Sequence, residues 1–578
     1  MVASKPAPLT GIRAKNSRAD GYGTVPTTSP PVSPTSTTSF ADAEPGAVGD
    51  RDPSHDADLV TDREQRSLQR GLAQRHLSML GIAGSIGTGL FLGLGGAVHT
   101  GGPLGALLGY AVIGGVVCCV QFALGEVCAL MPVTGSFVRH SEFLVDPAMG
   151  FAVGWNLVYG NLLSIPSEIT AICVLLKFWT DVNPAGFIVG FIALTSGVGM
   201  AFVRVFGEVE FAFALLKILL VVFLIILGLI INVGGIPGTE AIGFAYWRNP
   251  GPFVEYITEG NWGKFLGFWA VMTGAVFSFA GVESLAMAAA ETQNPRRAIP
   301  RAVKRVFARI VIFYGLAVFV VGLLVPSNDE RLDGSGDNVA QSPFVIAAQA
   351  AGIPAIASVV NAVVITSAWS ASNQSLLAGT RVLYGLALKG QAPKIFLRTT
   401  SWGTPYMCVL LFTAFMFLSF MSLSNSAITV FWWLVMLTAA GVLVSWSAIL
   451  FNHIRLLRAM KVQGIPVERL PWHNWWTKYT SPVGLFLCIV ILFTSGFSVF
   501  TKGRWDASKF VSSYLDIPIV IAAYLFWKFF AKTKFVALDQ IPLLDAFEQA
   551  EEQIVAEIEP ATKKKKKGWI KVISWIWD

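Results

Sequence analysis

Long runs of apolar residues repeat along the chain from Leu77 onward, and short polar segments separate them. Each run has about the length that an α-helix needs to cross roughly 30 Å of hydrocarbon. Twelve runs can be distinguished, with approximate spans of 77–98, 104–131, 149–178, 185–203, 209–232, 264–290, 307–326, 343–372, 405–423, 427–452, 482–500 and 514–531. The pattern therefore predicts an all-α membrane protein with twelve transmembrane helices.

The composition excludes an ordinary soluble protein. Hydrophobic residues make up 54% of the 578 residues and charged residues only 14%, whereas a soluble domain carries roughly 25% charged residues. All six cysteines fall in apolar runs, which indicates small hydrophobic residues and not a disulfide framework or a metal site. The net charge of +7 lies in short loops and near the C-terminus, so it favours contact with a membrane surface over binding to nucleic acid.

The distribution of charge between alternate loops predicts the orientation. One set of loops is rich in arginine and lysine, for example in 296–305 and 455–478. The other set is acidic, with Glu255, Asp329 and Glu330 among its residues. Because positive loops face the cytoplasm, both termini are predicted to be cytoplasmic, as an even number of spans requires.

Three regions follow from this organisation. Residues 1–65 are rich in serine, threonine and proline, which predicts a disordered N-terminal tail. Residues 66–531 form a membrane domain with the twelve predicted helices, and residues 532–578 form a C-terminal tail. The run Lys563–Lys567 lies beside tryptophans, which indicates contact with anionic lipids, with a solvated tail as the alternative. Exposed lysines such as Lys5 also make ubiquitin-dependent regulation of the tails an expectation.

The first span contains an unusual cluster of glycines, GSIGTG at 84–89. Close helix packing is the simplest explanation for glycine in a membrane helix. Three glycines within six residues also indicate a locally unwound helix, whose free amides can bind an anionic group.

A second break is expected in the sixth span, within Val276–Pro295. If the first five spans form one repeat, the sixth begins a second repeat, and five spans per repeat give the two repeats opposite topology. The sequence thus predicts a five-plus-five inverted repeat with discontinuous helices 1 and 6 and a binding site near the midplane.

Few charged residues lie within the spans, and an ionisable group in a bilayer is a functional candidate by default. Glu126, Glu291 and Lys177 lie near span ends, where pairing with loop residues or snorkelling explains them. Lys217 and Glu283 lie deeper. Burial penalises a charged amine, which suits a proton-linked switch at Lys217.

Motifs for phosphate binding, metal binding and nucleophilic catalysis are absent from the sequence. The chain is therefore not expected to be an enzyme, and no cofactor or metal is expected.

Several blocks of the chain, in order, resemble fungal amino-acid permeases of the amino acid/polyamine/organocation superfamily. The resemblance extends from about Leu72 to about Phe530. It rests on the following blocks: GSIGTGLFLGLG, LGEVCALMPVTGSF, VDPAMGFAVGWN, FSFAGVES, AETQNPRRAIPRAV, NAVVITSAWSASNQSLLAGTRVLYGLALKGQAPKIF and HIRLLRAMKVQGI. It implies the leucine-transporter-like arrangement and uptake of amino acids with protons, with a proton gradient as the driving force.

The resemblance also implies roles for individual residues. The amides around Ser85, Gly87, Thr88 and Gly89 would hold the substrate carboxylate. The substrate ammonium would lie near carbonyl groups of these residues: Ile82, Phe277, Ser278 and Ala280. Phe279 would form a gate, Glu283 would support the broken helix, and Lys217 would take the place of a sodium ion.

Polar residues on spans 3, 6 and 8 are the candidates for side-chain selectivity: Asn156, Asn161, Glu168, Ser284, Ser370, Ser372 and Asn373. Span 10 contains no aspartate or glutamate, which disfavours a cationic side chain. The sequence therefore predicts a plasma-membrane, proton-coupled importer of neutral amino acids or of a broad range. A polyamine or carnitine permease and a non-transporting amino-acid sensor are the alternatives.

Overall fold

The computed structural model describes residues 87–133, 135–200, 203–283, 299–300, 303–304, 310–332, 342–401, 403–548 and 550–551. Within these ranges the secondary structure is helical, without a strand. The main helices are α1 (Leu94–Leu130), α2 (Ser136–Leu144), α3 (Pro147–Leu176), α4 (Ala185–Met200), α5 (Val203–Asn232), α6 (Gly260–Ser278), α7 (Leu316–Leu324), α8 (Pro343–Ala350), α9 (Pro354–Leu388), α10 (Tyr406–Met416), α11 (Ala427–Val462), α12 (Thr477–Thr494), α13 (Ala507–Tyr514) and α14 (Asp516–Phe530).

Shorter helical segments complete the fold. Two π-helical segments precede α1 and α7, at Gly89–Gly93 and Ile310–Gly315. The remaining short helices are Ala245–Arg248, Glu330–Leu332, Lys394–Leu397, Phe417–Leu423, Val467–Arg469 and Phe497–Phe500.

The described helices are long and apolar enough for a multi-pass membrane protein. Seven of them meet the length and hydropathy expected of a membrane span, and the bent pair α13–α14 raises the number to eight. All of the predicted runs are helical over most of the residues that are described. The total of twelve spans and the inverted repeat stay predictions.

The first two predicted spans are joined in one kinked helix. Gly102 has a left-handed φ of 76° inside α1, and Pro103 follows it. A Cβ atom on Gly102 would lie 2.7 Å from the carbonyl oxygen of Pro252, so the neighbouring loop also requires glycine here. The predicted gap between residues 98 and 104 is therefore a kink.

Helix α3 has a central place in the packing, because α9 and α11 both pack along it, while α1 packs along α6. The start of α3 is fixed by its sequence. The Asp146 side chain accepts a hydrogen bond of 2.8 Å from the amide of Ala148, and Pro147 occupies the first turn. A capping aspartate followed by proline is a strong start signal for a helix.

The eighth predicted span is corrected by the structure. The run 343–372 is divided between α8 and α9, because Gly352 adopts a φ of 74° and Pro354 begins a new helix. Helix α9 then continues to Leu388. Its second half carries polar residues that face the protein interior, so hydropathy alone ended the span too early.

The ends of two later spans also differ from the prediction. Helix α11 extends ten residues beyond the predicted end at 452, to Val462. The last predicted run, 514–531, corresponds to a pair of helices that starts at Ala507 and bends by 43° between α13 and α14. Because α13 carries polar residues, a hydropathy criterion did not detect this half of the helix pair.

Residues 532–548 pack against the C-terminal ends of α1, α2 and α11. Leu543 and Phe547 are fully buried in a cluster with Leu130, Leu456 and Met460. Hydrogen bonds fix the segment as well: the amide of residue 536 donates to the carbonyl of residue 145 at 2.9 Å, and the side chain of residue 463 donates to the carbonyl of residue 541 at 2.8 Å. The segment therefore adds to the packed core of the domain.

This packing predicts a stability difference between two neighbouring side chains. Phe547→Ala removes a ring that is 0% exposed, whereas Leu544→Ala changes a side chain that is 54% exposed. We expect Phe547→Ala to destabilise the protein by about 3 kcal/mol and Leu544→Ala by less than about 1 kcal/mol. Thermal unfolding in detergent, followed by fluorescence-detected size exclusion, measures the difference. Equal midpoints for the two variants would show that the segment is not held by this cluster.

Candidate functional site

A cavity of about 910 Å³, including its opening, lies among α3, α6, α9 and α11 and the residues before α1. Most of its lining residues are small or polar. They are Gly87, Gly89, Asn156, Leu157, Gly160, Asn161, Ser164, Glu168, Phe277, Ser278, Ala280, Gly281, Glu283, Ala371, Gln374, Ser375, Ala378, Thr438, Gly441, Val442 and Ser445. Such a lining can bind a small polar molecule inside a membrane protein.

The π-helical segment Gly89–Gly93 and α1 together form the first helix. The start of this first helix lies directly against the end of α6. A Cβ atom on Gly89 would lie 2.7 Å from the Cα atom of Ser278, so only glycine permits this approach. The Tyr110 hydroxyl lies 2.9 Å from Ser278 Oγ and 3.4 Å from the carbonyl oxygen of Gly89. Tyr110 therefore connects the two helix ends at the cavity wall.

Helix α6 ends where the sequence predicts a break. Ser278 is its last residue, and Gly281 follows with a φ of 86°. The Gln121 side chain donates a hydrogen bond of 2.8 Å to the carbonyl of Val282. These contacts stabilise the non-helical backbone at the cavity. Residues 284–298 lie outside the described part, so the continuation of the sixth span is not described.

Glu168 connects the cavity wall to the first helix. Thr88 Oγ1 donates a hydrogen bond of 2.9 Å to Glu168 Oε2. The other carboxylate oxygen, Oε1, would lie 3.1 Å from a Cβ atom on Gly87. Glu168 is 4% exposed, so its carboxylate is held at the cavity edge by these neighbours.

Lys217 of α5 is a buried cation in the same region and is 1% exposed. Glu168 and Glu210 both act electrostatically on its ammonium group. Glu210 is held by Ser370 Oγ, at 2.7 Å and 2.8 Å from its two oxygens, and by the amide of Gln374. Among the described residues, the Lys217 ammonium has no hydrogen-bond partner. One buried ammonium group thus interacts electrostatically with two buried carboxyl groups.

Glu283 is the other deep charge predicted from the sequence, and it lines the cavity. The indole Nε1 of Trp446 donates a hydrogen bond of 3.2 Å to Glu283 Oε2. Trp446 is fully buried in α11. Glu283 therefore connects the end of the α6 segment to α11, next to the cavity.

The structure brings together a majority of the residues predicted for the site. Those that line the cavity are Gly87, Gly89, Asn156, Asn161, Glu168, Phe277, Ser278, Ala280 and Glu283. Thr88 donates a hydrogen bond to the cavity-lining Glu168 carboxylate, and Lys217 interacts with it electrostatically. Ile82, Ser85 and Ser284 lie outside the described residues.

Four predicted site residues are buried without lining the cavity, and one of them, Ser370, donates its hydroxyl hydrogen bond to Glu210. The Phe279 ring packs against Tyr314, with 4.3 Å between ring centroids. The Ser372 hydroxyl donates to the carbonyl of Ala368 at 3.1 Å. Asn373 is 3% exposed. In this conformation the cavity is instead lined on α9 by Gln374 and Ser375.

Sequence reasoning missed several cavity residues that have a recognisable spacing. On α9 the lining residues are 371, 374, 375 and 378, and on α11 they are 438, 441, 442 and 445. Both sets repeat at intervals of three and four, which places their members on one helix face. A stripe of small and polar residues at this spacing, inside an apolar span, was the available signal.

No group of three or more histidine, cysteine, aspartate or glutamate side chains suited to a metal ion occurs within the described ranges. The polar groups of the cavity are carboxylates, hydroxyls, amides and glycine backbone. They can bind an ammonium or a carboxylate group of a small solute.

Comparison with known proteins gives consistent results over most of the chain. A family model described as amino acid permease matches residues 76–540. The chain is 36% identical to the dicarboxylic amino acid permease of Saccharomyces cerevisiae, over 83% of this chain and 80% of that protein. It is 37% identical to the proline-specific permease of Emericella nidulans, over 89% and 94%. It is 36% identical to the lysine-specific permease of Saccharomyces cerevisiae, over 84% and 80%.

Solved structures share the fold at much lower identity. A manganese transporter of Eremococcus coleocola, crystallised with an aromatic bis-isothiourea substituted compound, matches with a TM-score of 0.50 and 15% identity. The match covers 80% of this chain and 94% of that one. At this identity the likeness shows a transporter fold and carries no information about the substrate.

Proposed function

The chain belongs to the amino acid permease family, whose members are membrane transporters and not enzymes, and from this premise we propose that it imports amino acids together with protons. Transport would proceed by alternating access, with the substrate enclosed between the first helix and α6. The observation that carries the proposal is that the cavity carboxylate Glu168 accepts a hydrogen bond from Thr88 and also acts electrostatically on the buried Lys217. A substrate-site group and a buried ammonium thus belong to one network.

The backbone at the cavity suits the two charged groups of an amino acid. The amides around Ser85, Gly87 and Gly89 would hold the carboxylate, because an unwound helix start provides free N–H donors. The carbonyl groups near Phe277 and Ser278 would accept hydrogen bonds from the ammonium. The small side chains around them leave space for neutral substrates of different sizes, which favours a neutral or broad range.

Proton coupling would arise from the charge balance around Lys217. Glu168 and Glu210 together carry one negative charge more than the lysine neutralises. Because an unbalanced charge is costly in the membrane, a proton on one of the carboxylates would complete the balance. Proton entry would therefore change the contact of Glu168 with Thr88, and through it the first helix.

The cellular setting follows from the same function. We place the protein in the plasma membrane with both termini in the cytoplasm, as the loop charges predict. Anionic lipids at the C-terminal lysines and ubiquitin on the tails would be its further partners. Neither feature is needed for the transport step itself.

Uptake by permease-deficient yeast expressing this chain tests the function. A panel of radiolabelled amino acids, spermidine and carnitine is offered at acid and neutral pH, with and without a protonophore. We expect acid-stimulated, protonophore-sensitive accumulation of amino acids. Accumulation of spermidine or carnitine alone would show that the substrate is a polyamine or carnitine and not an amino acid. If the protein reaches the cell surface and no compound accumulates, the sensor alternative is favoured.

A further inference from the structure

Four side chains next to the cavity carry buried oxygen atoms without a partner. They are Asn156 and Tyr159 on α3, Thr438 on α11 and Asp516 at the start of α14. In the part of the chain that the structure describes, Asn156 Oδ1, the Tyr159 and Thr438 hydroxyls and both Asp516 carboxylate oxygens lack hydrogen bonds. Asp516 is 0% exposed, Asn156 2% and Thr438 3%. Buried polar groups are normally paired, so this cluster requires an explanation.

The oxygen atoms of two of these residues face the same point. Asn156 Nδ2 donates to the carbonyl of Gly441 at 2.8 Å and to Ser445 Oγ at 3.1 Å, which orients the amide. A Cβ atom on Gly441 would lie 3.4 Å from Asn156 Oδ1 and 3.9 Å from Asp516 Oδ1. Because residue 441 is glycine, this position holds no side-chain atom.

The same point is continuous with the cavity. Gly160 and Gly441 both line the cavity, and the Gly160 Cα atom lies 3.9 Å from the Cβ position of Gly441. A Cβ atom on Gly160 would meet nothing within 4 Å. Two glycines on facing helices thus leave a gap between the cavity and Asp516.

The position of Asp516 makes an unpaired carboxylate costly. It is fully buried at the junction of the bent pair α13–α14, which together has the length and hydropathy of a membrane span. An isolated charge buried within such a span is unfavourable by several kcal/mol unless a cation compensates it. The cluster offers acceptors, and an ammonium or guanidinium group offers several donors.

We propose that Asp516, with Asn156, Tyr159 and Thr438, binds the positively charged end of a basic amino-acid side chain. This inference rests on the proposed transport function and names a substrate class for it. The α-carboxylate and α-ammonium groups would lie at the first helix and α6, and the side chain would extend past Gly441. Span 10 contains no aspartate or glutamate, and in this proposal Asp516 of the last span supplies the carboxylate instead.

Competition uptake compares a charged side chain with neutral ones of similar length. Lysine and arginine, and their neutral counterparts norleucine and citrulline, compete with a labelled neutral substrate in wild type and Asp516→Asn. We expect Asp516→Asn to raise the inhibitory concentrations of lysine and arginine about tenfold or more. Those of norleucine and citrulline should stay within about twofold. An equal change for both pairs, or no inhibition of the wild type by lysine, would overturn the proposal.

A second variant tests the gap without touching the carboxylate. Gly441→Ala adds a methyl group at ordinary contact distances, 3.4 Å and 3.9 Å from the two oxygens, so the helices tolerate it. We expect the same selective loss of lysine and arginine inhibition. Asp545→Asn, at an exposed aspartate of the C-terminal segment, is the control and should change neither pair.

Binding to purified protein separates this inference from the transport function. Lysine should raise the thermal midpoint of the wild type in detergent more than norleucine does, and Asp516→Asn should remove that difference. This result is expected even if yeast uptake shows no transport. A midpoint that responds to sodium and not to lysine, and only when Asp516 is intact, would show an alkali-cation site and contradict the proposal.

Discussion

Replacing Lys217 by methionine is expected to abolish proton-driven accumulation. Methionine keeps the length of the side chain and removes its charge, so Glu168 and Glu210 remain as two buried carboxylates without a counter-ion. Removing one partner of a buried ionic network costs about 3–5 kcal/mol. If about 3 kcal/mol of this falls on the transport cycle, uptake at acid pH decreases by about a hundredfold. Initial rates at acid and neutral pH, normalised to protein at the cell surface, measure the effect.

Because the single variant can also reduce folding, a double variant separates the two effects. Lys217→Met combined with Glu210→Gln restores the net charge of the wild-type network and keeps a polar group beside Ser370. We expect this protein to reach the surface and to bind substrate without acid stimulation. Lys264→Met, at a half-exposed lysine 3.9 Å from Glu255, is the matched control. Unchanged acid stimulation in the double variant would exclude Lys217 and Glu210 from coupling.

The apolar runs predicted where helices lie because each span buries its backbone polar groups in a helix. They did not predict the ends of helices that carry polar residues on a buried face. Helix α9 continues to Leu388 and α13 begins at Ala507, both through segments of lower hydropathy. On α9 the polar residues that follow the predicted span end include Gln374 and Ser375, which line the cavity, so hydropathy is least informative near the site.

The glycines of the site were predictable, whereas the partners of its charges were not. Gly87, Gly89 and Ser278 belong to local motifs that signal a broken helix. Glu210 lies near the predicted start of its span, and its partner Ser370 is 160 residues away along the chain. Such a contact is set by the packing of α5 against α9 and leaves no local pattern.

Asp516 shows the same limit in another form. In the predicted span 514–531 it occupies the first turn, where an acidic residue is ordinary because the helix N-terminus favours negative charge. The structure begins the helix pair at Ala507, which places the residue at the bend of the pair, where its side chain is fully buried. An error of seven residues in a helix start thus concealed a buried carboxylate.

The contact between the first helix and α6 predicts a graded response to the smallest possible side chain. In Gly89→Ala the new methyl group would lie 2.7 Å from the Cα atom of Ser278, a backbone atom that cannot rotate away. In Gly87→Ala it would lie 3.1 Å from Glu168 Oε1, the end of a side chain that can shift. The two glycines, two residues apart, should therefore differ strongly in tolerance.

We expect Gly89→Ala to reduce uptake about tenfold to a hundredfold, because overpacking typically costs about 1–3 kcal/mol. Gly87→Ala should reduce it by less than about fivefold, and Gly87→Leu should abolish it by filling the carboxylate site. Gly115→Ala, on an exposed face of α1 with nothing within 4 Å, is the control and should transport normally. The rates are compared at equal surface expression. If Gly89→Ala were as active as Gly115→Ala, transport would not require the contact between the first helix and Ser278. The enclosed site proposed between these two helices would then be wrong.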